Sequence, residues 1–376
     1  MNLIYMAIPI FILSIMLEAA WCHYKKKKLY RLNDAVNDLS CGIFEQIVNI
    51  FTKGFIFYNF YAVSKALALT HWSQTSWIAF LITFLLGDLA YYWYHRCAHR
   101  VKAIWATHIV HHQSEEYNLA VALRQGAFSN FFSSLFYIPL AILGADPVHF
   151  AIGHSLNLIY QFFIHTQLIN RCPALIEMVM NTPSHHRVHH GKNKQYIDKN
   201  YAGVFIIWDR LFGSFEEEKE EVQYGITTPL RSFNPIWANL HYWVEISQMA
   251  SATKGVLNKI WILISPPDYL PEGYVHSKEE PTLQKQDVKS HDPQISGRDQ
   301  IYVFLNGLLI LVGTFIYLGI QPSLGIIWTA SFAVILVVSL WSLSTLVDRK
   351  SYAWKIEKLR IAALAVIFPI YTGMVI

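Results

Sequence analysis

Charged side chains are scarce in this chain. Asp, Glu, Lys and Arg make up 15% of its 376 residues, where a soluble domain carries about 25%. That shortage excludes an ordinary water-soluble body, and 53% hydrophobic residues with a mean hydropathy of +0.28 point to a bilayer as the solvent. Cysteine is sparse as well. Cys22, Cys41, Cys97 and Cys172 form no C-x-x-C pair, which removes disulfide frameworks, zinc fingers and cysteine-held iron–sulfur or haem groups. The four thiols read as small buried apolar groups. Net charge is only +4 and the basic residues sit in clusters beside apolar segments, so nucleic acid is not an expected partner.

What the chain has instead is uncharged runs of membrane length, since a hydrocarbon core about 30 Å thick takes roughly 20 helical residues. Residues 1–17 are uncharged, and Glu18 and Lys25–Lys28 follow them, the order of a retained anchor rather than of a cleaved signal peptide. Further segments are expected at 42–68, interrupted by Glu45 and Lys53, and at 76–95. A hairpin is expected at 125–145 and 147–170 around Asp146-Pro147, then two spans at 301–320 and 324–347 around Gln321-Pro322-Ser323, and a last one at 361–376. With Lys25–Lys28 in the cytoplasm, alternate threading puts Arg96, Arg100, Lys102, Arg124, Arg171, Arg187, Arg349, Lys350, Lys355, Lys358 and Arg360 on that same side, as the positive-inside rule requires. The expected organisation is a membrane body with a cytoplasmic cap over residues 1–275, a polar linker over 276–300 and a three-span group over 301–376.

Seventeen histidines stand against this apolar background, and twelve of them fall between His95 and His190. His95 and His99 are spaced i, i+4; His108, His111 and His112 are spaced i, i+3, i+4; His186, His189 and His190 repeat that spacing. On a helix each set projects from one face toward a common point. His165 lies at the same membrane depth as His95 and His99, with Gln161 rather than another histidine one turn earlier, and His185 is i, i+4 from His189. So many imidazoles exceed the four to six donors one ion takes, so two metals are implied. His23, His71, His149, His154, His241, His276 and His291 read as ordinary hydrogen-bonding residues. Asp88, Glu115, Glu116, Asp198 and Asp209 are carboxylates that could accept from the outer nitrogens of the imidazoles, and for the last four a surface or loop-anchoring role competes. Tyr91, Tyr92, Trp93, Tyr94, Phe162 and Phe163 read as interfacial anchors or channel lining.

WYHRCAHR, HIVHHQSEEYNLAVALRQG and NTPSHHRVHHGKNKQYIDKNYAGVFIIWDRLFGSFEEE resemble the fatty acid hydroxylase and sterol desaturase superfamily of membrane di-iron enzymes. Within it they are most similar to the tetrahydrobiopterin-dependent alkylglycerol monooxygenases. The resemblance covers roughly residues 80–215 and implies an all-α polytopic integral membrane protein, with a histidine-rich dimetal site between transmembrane helices and a cytoplasmic helical cap. It makes His95, His99, His108, His111, His112, His186, His189 and His190 catalytic metal ligands, joined by His165 and, on spacing, by His185. The cofactors it implies are two iron ions, O2 and tetrahydrobiopterin, for which Asn118, Arg124 and Gln125 are polar candidates; Gln161 departs from relatives with a histidine there and leaves the ligand count open. The implied reaction is O2-dependent hydroxylation of the ether carbon of an alkylglycerol. The hemiacetal formed would give a fatty aldehyde and a glycerol derivative. The alternative is a fatty-acid or sterol hydroxylase or desaturase fed by a separate reductase, and a histidine-based metal transporter is disfavoured because transport sites lie near the bilayer midplane. The membrane would be the endoplasmic reticulum in a eukaryote and the inner membrane in a bacterium.

Overall fold

The computed structural model describes residues 3–52, 55–274 and 290–375, with side chains through residue 365. Every element among them is helical, and their one β-bridge joins Gly191 to Tyr224. Helix α1 (Leu3–Tyr24) carries Met6, Ile10, Leu13 and Leu17 on an exposed face and Ala7 and Phe11 on a buried one. Helices α2 (Leu32–Phe51) and α3 (Phe55–Leu67) occupy the region where a single span was expected at 42–68. The helix boundaries do not follow the apolar run: α2 begins upstream of it, with Asn33, Asp34, Asn37 and Asp38 buried inside the protein as a polar stripe that cannot face lipid, and ends at Phe51 within it.

Helix α4 (Trp77–Arg100) starts at Ser76, whose hydroxyl accepts from Ala79 N–H, the side-chain cap expected of serine at that position. It runs 24 residues, about 36 Å and long enough to cross a bilayer, and α5 (Lys102–His112) follows after one residue. Helices α6 (Ser129–Leu143) and α7 (Pro147–Ile164) form the expected hairpin. Gly144 closes α6 at φ +100°, where a Cβ would strike the Thr70 carbonyl, and Asp146 caps α7 through Val148 and His149 N–H. The short cap helices are α8 (Ala174–Val179), α9 (Pro183–His189) and α10 (Ile207–Leu211), followed by α11 (Pro235–Ala252) and α12 (Val256–Ile264). The chain closes with α13 (Gly297–Ile320), α14 (Ile326–Val347) and α15 (Ala353–Val375).

Among the described residues four helices are long and apolar enough to cross a membrane: α1, α4, α13 with the turn that follows it, and α14. Their outward side chains are apolar and exposed, among them Trp77, Ile78 and Leu81 of α4 and Ile326 and Ile327 of α14, the reverse of a soluble surface. The protein is a polytopic membrane protein. α6 has 15 residues and reaches about 22 Å, short of a full crossing.

Residues 276–289 of the expected linker lie outside the described residues. Its remainder is tied to the body at a few points while Ser290, Gln294, Ser296, Arg298 and Gln300 stay exposed: Glu115 Oε2 accepts from His291 N–H at 2.9 Å, Asn33 Nδ2 donates to Asp292 Oδ1 at 2.8 Å, and residues 297–300 open α13. The C-terminal helices share a core with α2, in which Ile43, Ile47 and Ile50 meet Val303, Ile310, Leu340 and Leu343.

Candidate metal centre

Two sets of imidazole nitrogens converge where α4 and α7 end and α5 and α9 lie across them. His95, His99, His108, His112 and His189 form one set, and His111, His165, His186 and His190 the other; within each set one ring nitrogen per residue lies within 4.8 Å of all the others. The helical arithmetic explains the partition. His108 and His112 are one turn apart on α5 and serve the first set, while His111 turns to the second; His186 and His190 serve the second set, while His189 turns to the first.

Backbone carbonyls fix the rings. His95 Nδ1 donates to Tyr201 O (2.7 Å), His189 Nδ1 to Lys199 O (3.0 Å), His111 Nδ1 to Arg124 O (2.9 Å) and His165 Nδ1 to Gln161 O (2.7 Å). A carbonyl only accepts, so in these four residues the proton is on Nδ1 and the Nε2 lone pair faces inward. His111 Nε2 and His165 Nε2 then lie 3.3 Å apart with no proton between them, a repulsive contact unless a cation sits against both. The separations His95–His108 (2.9 Å), His108–His112 (3.3 Å) and His165–His186 (3.0 Å) match the edge of a coordination shell with bonds of about 2.1 Å. His99 Nε2, His189 Nε2 and His190 Nε2 are buried with no hydrogen-bond partner. Burial first, then the neighbouring imidazoles, holds His108, His112, His186 and His190 well below the ordinary histidine range; burial takes His111 down to about 4 and His189 to about 3. At neutral pH these rings are neutral and their lone pairs are free to bind a metal.

His185 is not brought to either set. It occupies the first turn of α9, where Nδ1 accepts from Thr182 N–H and Nε2 donates to Glu177 Oε2 at 2.9 Å, so its ring closes a helix cap and points away from the other imidazoles. The expected carboxylate acceptors are displaced as well. Asp198 pairs with the exposed Arg100, and Glu115 and Glu116 pair with Arg31.

Asp88 and Asp209 act one layer further out. Asp209 accepts from Tyr201 N–H, Ala202 N–H and Ser214 Oγ, and Asp88 accepts from Val204 N–H, Phe205 N–H, Trp208 Nε1 and Asn157 Nδ2. Between them they clamp the segment whose carbonyls orient His95 and His189. Asn157 Oδ1 in turn accepts from Gln161, whose Oε1 accepts from Tyr91 at 2.7 Å. Gln161 therefore contributes its carbonyl to His165 while its side chain joins the Asp88 network.

The polar candidates for a pterin are already engaged: Arg124 holds Val110 O, Gln113 Oε1 and Asp38 Oδ1, Asn118 donates to Leu29 O, and Gln125 to Ala122 O. The sequence reading missed Tyr117, stacked on His165 at 5.6 Å, and Trp105, against His99 at 5.0 Å and His112 at 5.6 Å. It also missed Glu18, which holds α1 to the site by accepting from Leu119 N–H and from Thr166 beside His165. Of the six aromatic candidates, Trp93 and Phe163 are exposed and Phe162 stacks on Phe11 of α1.

The fatty acid hydroxylase family model matches residues 80–214, the stretch that carries all nine converging histidines. Over 93% of its length the chain is 36% identical to the alkylglycerol monooxygenase of Xenopus tropicalis, covering 77% of that protein. It is 37% identical to the Danio rerio enzyme of the same name over 94% of its length, covering 79% of it. The chain belongs to the alkylglycerol monooxygenase family. The human alkylglycerol monooxygenase is 41% identical over 70% of the chain, which there covers 59% of the human protein. No solved structure matches the chain. As a member of the alkylglycerol monooxygenase family it is an oxygen-dependent oxidoreductase, and the nine neutral nitrogen donors, with the unprotonated His111–His165 pair and the orphaned Nε2 atoms of His99, His189 and His190, fit an iron-dependent enzyme.

Proposed function

We propose that the protein cleaves the ether bond of alkylglycerols at a two-iron site on the cytoplasmic membrane boundary. His95, His99, His108, His112 and His189 would hold one ion and His111, His165, His186 and His190 the other. Iron there supplies the activation of dioxygen, which no side chain of the chain provides. Inserting one oxygen atom into the C–H bond of the ether carbon and releasing the other as water would take two electrons and two protons, which a reduced pterin, tetrahydrobiopterin, would supply. The resulting hemiacetal loses its glycerol oxygen as an alcohol and becomes a fatty aldehyde. The observation that carries this reading is the pair of converging imidazole sets, with His111 Nε2 and His165 Nε2 facing one another unprotonated in the second, in a chain 36–37% identical to alkylglycerol monooxygenases over more than nine-tenths of its length.

The protein's own part is placement and exclusion. Tyr201, Lys199, Arg124 and Gln161 carbonyls keep four rings in the tautomer that presents Nε2. Tyr117 and Trp105 cover the two sets with apolar ring faces and keep water off them. His95 and His165 stand at the ends of α4 and α7, so an amphiphile with its head group at the interface presents its first chain carbons at their level. Incubating membranes that contain the protein with a labelled alkylglycerol in air, with and without tetrahydrobiopterin, tests the reading: aldehyde forms only with the pterin. No aldehyde under either condition, with iron present in the sample, would replace it with a lipid hydroxylase or desaturase fed by a reductase.

A further inference from the structure

Helix α12 presents to the outside what helices usually hide. Val256, Leu257, Ile260, Trp261, Leu263 and Ile264 are all exposed, Leu257 to 81%. Ile262 alone in this helix is buried, against α5 and α11. At 3.6 residues per turn the six exposed side chains cover an arc of about 160°, with Asn258 and Lys259 flanking Ile262 on the other side. An apolar arc of this width is not stable against water. The nine residues are about 13 Å long, too short to cross a bilayer.

Its depth is fixed by the backbone. Lys102 N–H, immediately beyond the end of α4, donates to the carbonyl of Ser265 at the end of α12 (2.9 Å), and Lys102 Nζ donates to Tyr269 O at 2.5 Å. α12 is thus tied to the point where a membrane-crossing helix leaves the bilayer. Lys254 precedes it and Lys259 lies on its other face, and Trp261 and Tyr269 pair edge to face at 6.4 Å, the basic and aromatic chemistry found at lipid head-group level. The exposed apolar surface continues onto α11 through Leu240 and Val244. A stable contact between copies engages about 20–30 residues a side, more than this helix and its neighbour offer.

We propose that α12 is a membrane-surface helix, seated in the leaflet at the histidine end of α4 with its apolar arc among the acyl chains and Lys254 and Lys259 toward anionic head groups. The test reconstitutes the full chain in nanodiscs of phosphatidylcholine and phosphatidylglycerol that contain phosphatidylcholine with a diazirine in its acyl chain, followed by photolysis and peptide mapping. Label is expected on the α12 peptide at Leu257, Trp261 or Ile264, as on Leu81 and Leu85 of α4, and not on the acidic segment 216–221. Replacing the exposed pair, Leu257→Glu with Trp261→Glu, leaves Ile262 in place and should lower labelling of that peptide by about an order of magnitude while α4 keeps its label. An unlabelled α12 beside a labelled α4 would overturn the proposal, as would lysine crosslinks joining Lys254 or Lys259 of two copies in place of the lipid label.

Discussion

His185 and His189 differ by one helical turn and by everything that follows from it. His185 sits in the first turn of α9, where a side chain folds back onto the cap; His189 sits at its end, where the ring reaches His95, His99 and His112. Spacing alone gives both the same standing, so the histidine sets were legible in the sequence and this exclusion was not. His189→Ala should therefore lose bound metal and activity together, whereas His185→Ala should keep its metal and lose about 1 kcal/mol of stability with the cap. Metal per chain by elemental analysis, measured beside the thermal midpoint, separates the two.

Asp209 gives a second residue-level outcome. Burial pushes its carboxyl up to about 6, against the hydrogen bonds from Ser214, Tyr201 and Ala202 that favour the charged form. The folded protein then binds more protons than the unfolded chain between the ordinary value of 3.8 and about 6. This contribution to stability is complete below that window and is lost as pH rises through it. The stability difference between the wild type and Asp209→Asn should shrink by up to about 3 kcal/mol from pH 4 to pH 6 and level off above. A difference that is flat with pH would show that Asp209 titrates normally.

At the scale of elements, the segment from Lys199 to Phe205 governs the site although it contributes no metal-binding side chain. A carbonyl has no letter in a sequence, so the acceptors of His95 and His189 could not be read there; what could be read was the pair of acids that anchor them. The sequence placed Asp88 two turns before His95 and suggested direct contact with the imidazoles, whereas it reaches them through Val204, Phe205 and Trp208. Asp88→Ala would strand four buried donors and cost about 3 kcal/mol or more, with bound metal lost as the clamp on Tyr201 and Lys199 loosens. Gly203 is a sharper probe. A Cβ there would lie 2.7 Å from Asp88 Oδ1 and 2.9 Å from both Asn157 Oδ1 and Tyr91 Cδ1, so Gly203→Ala should lower metal content without touching a single ligand. The region 42–68 failed for the opposite reason: hydropathy counts apolar residues inside a window, while α2 begins upstream of that window with a polar stripe buried against partners distant in sequence and ends at Phe51 inside it.

For the whole molecule, the C-terminal helices are part of the body that holds the site. Their apparent separateness came from the polar run at 276–300, and composition carries no record that Ile43, Ile47 and Ile50 bury themselves against α13 and α14. A chain ended after residue 275 would expose that face of α2, the helix whose Asp38 holds Arg124 and so the carbonyl that orients His111. It should aggregate in detergent on size exclusion and retain no metal, where an independent N-terminal domain would elute as a single species.

The His111-His112 and His189-His190 dipeptides have a consequence for how the centre fills. In each, neighbouring residues send their rings to opposite sets, so if each set holds an ion, as proposed, the spacing between the two would be set by one step of helical backbone, twice over. Neither ion could then shift, or be lost, without disturbing a residue bonded directly to a ligand of the other. Occupancy should accordingly be all or none: a chelator titrated against the loaded enzyme removes both metals in one transition, and chains carrying a single ion stay rare throughout.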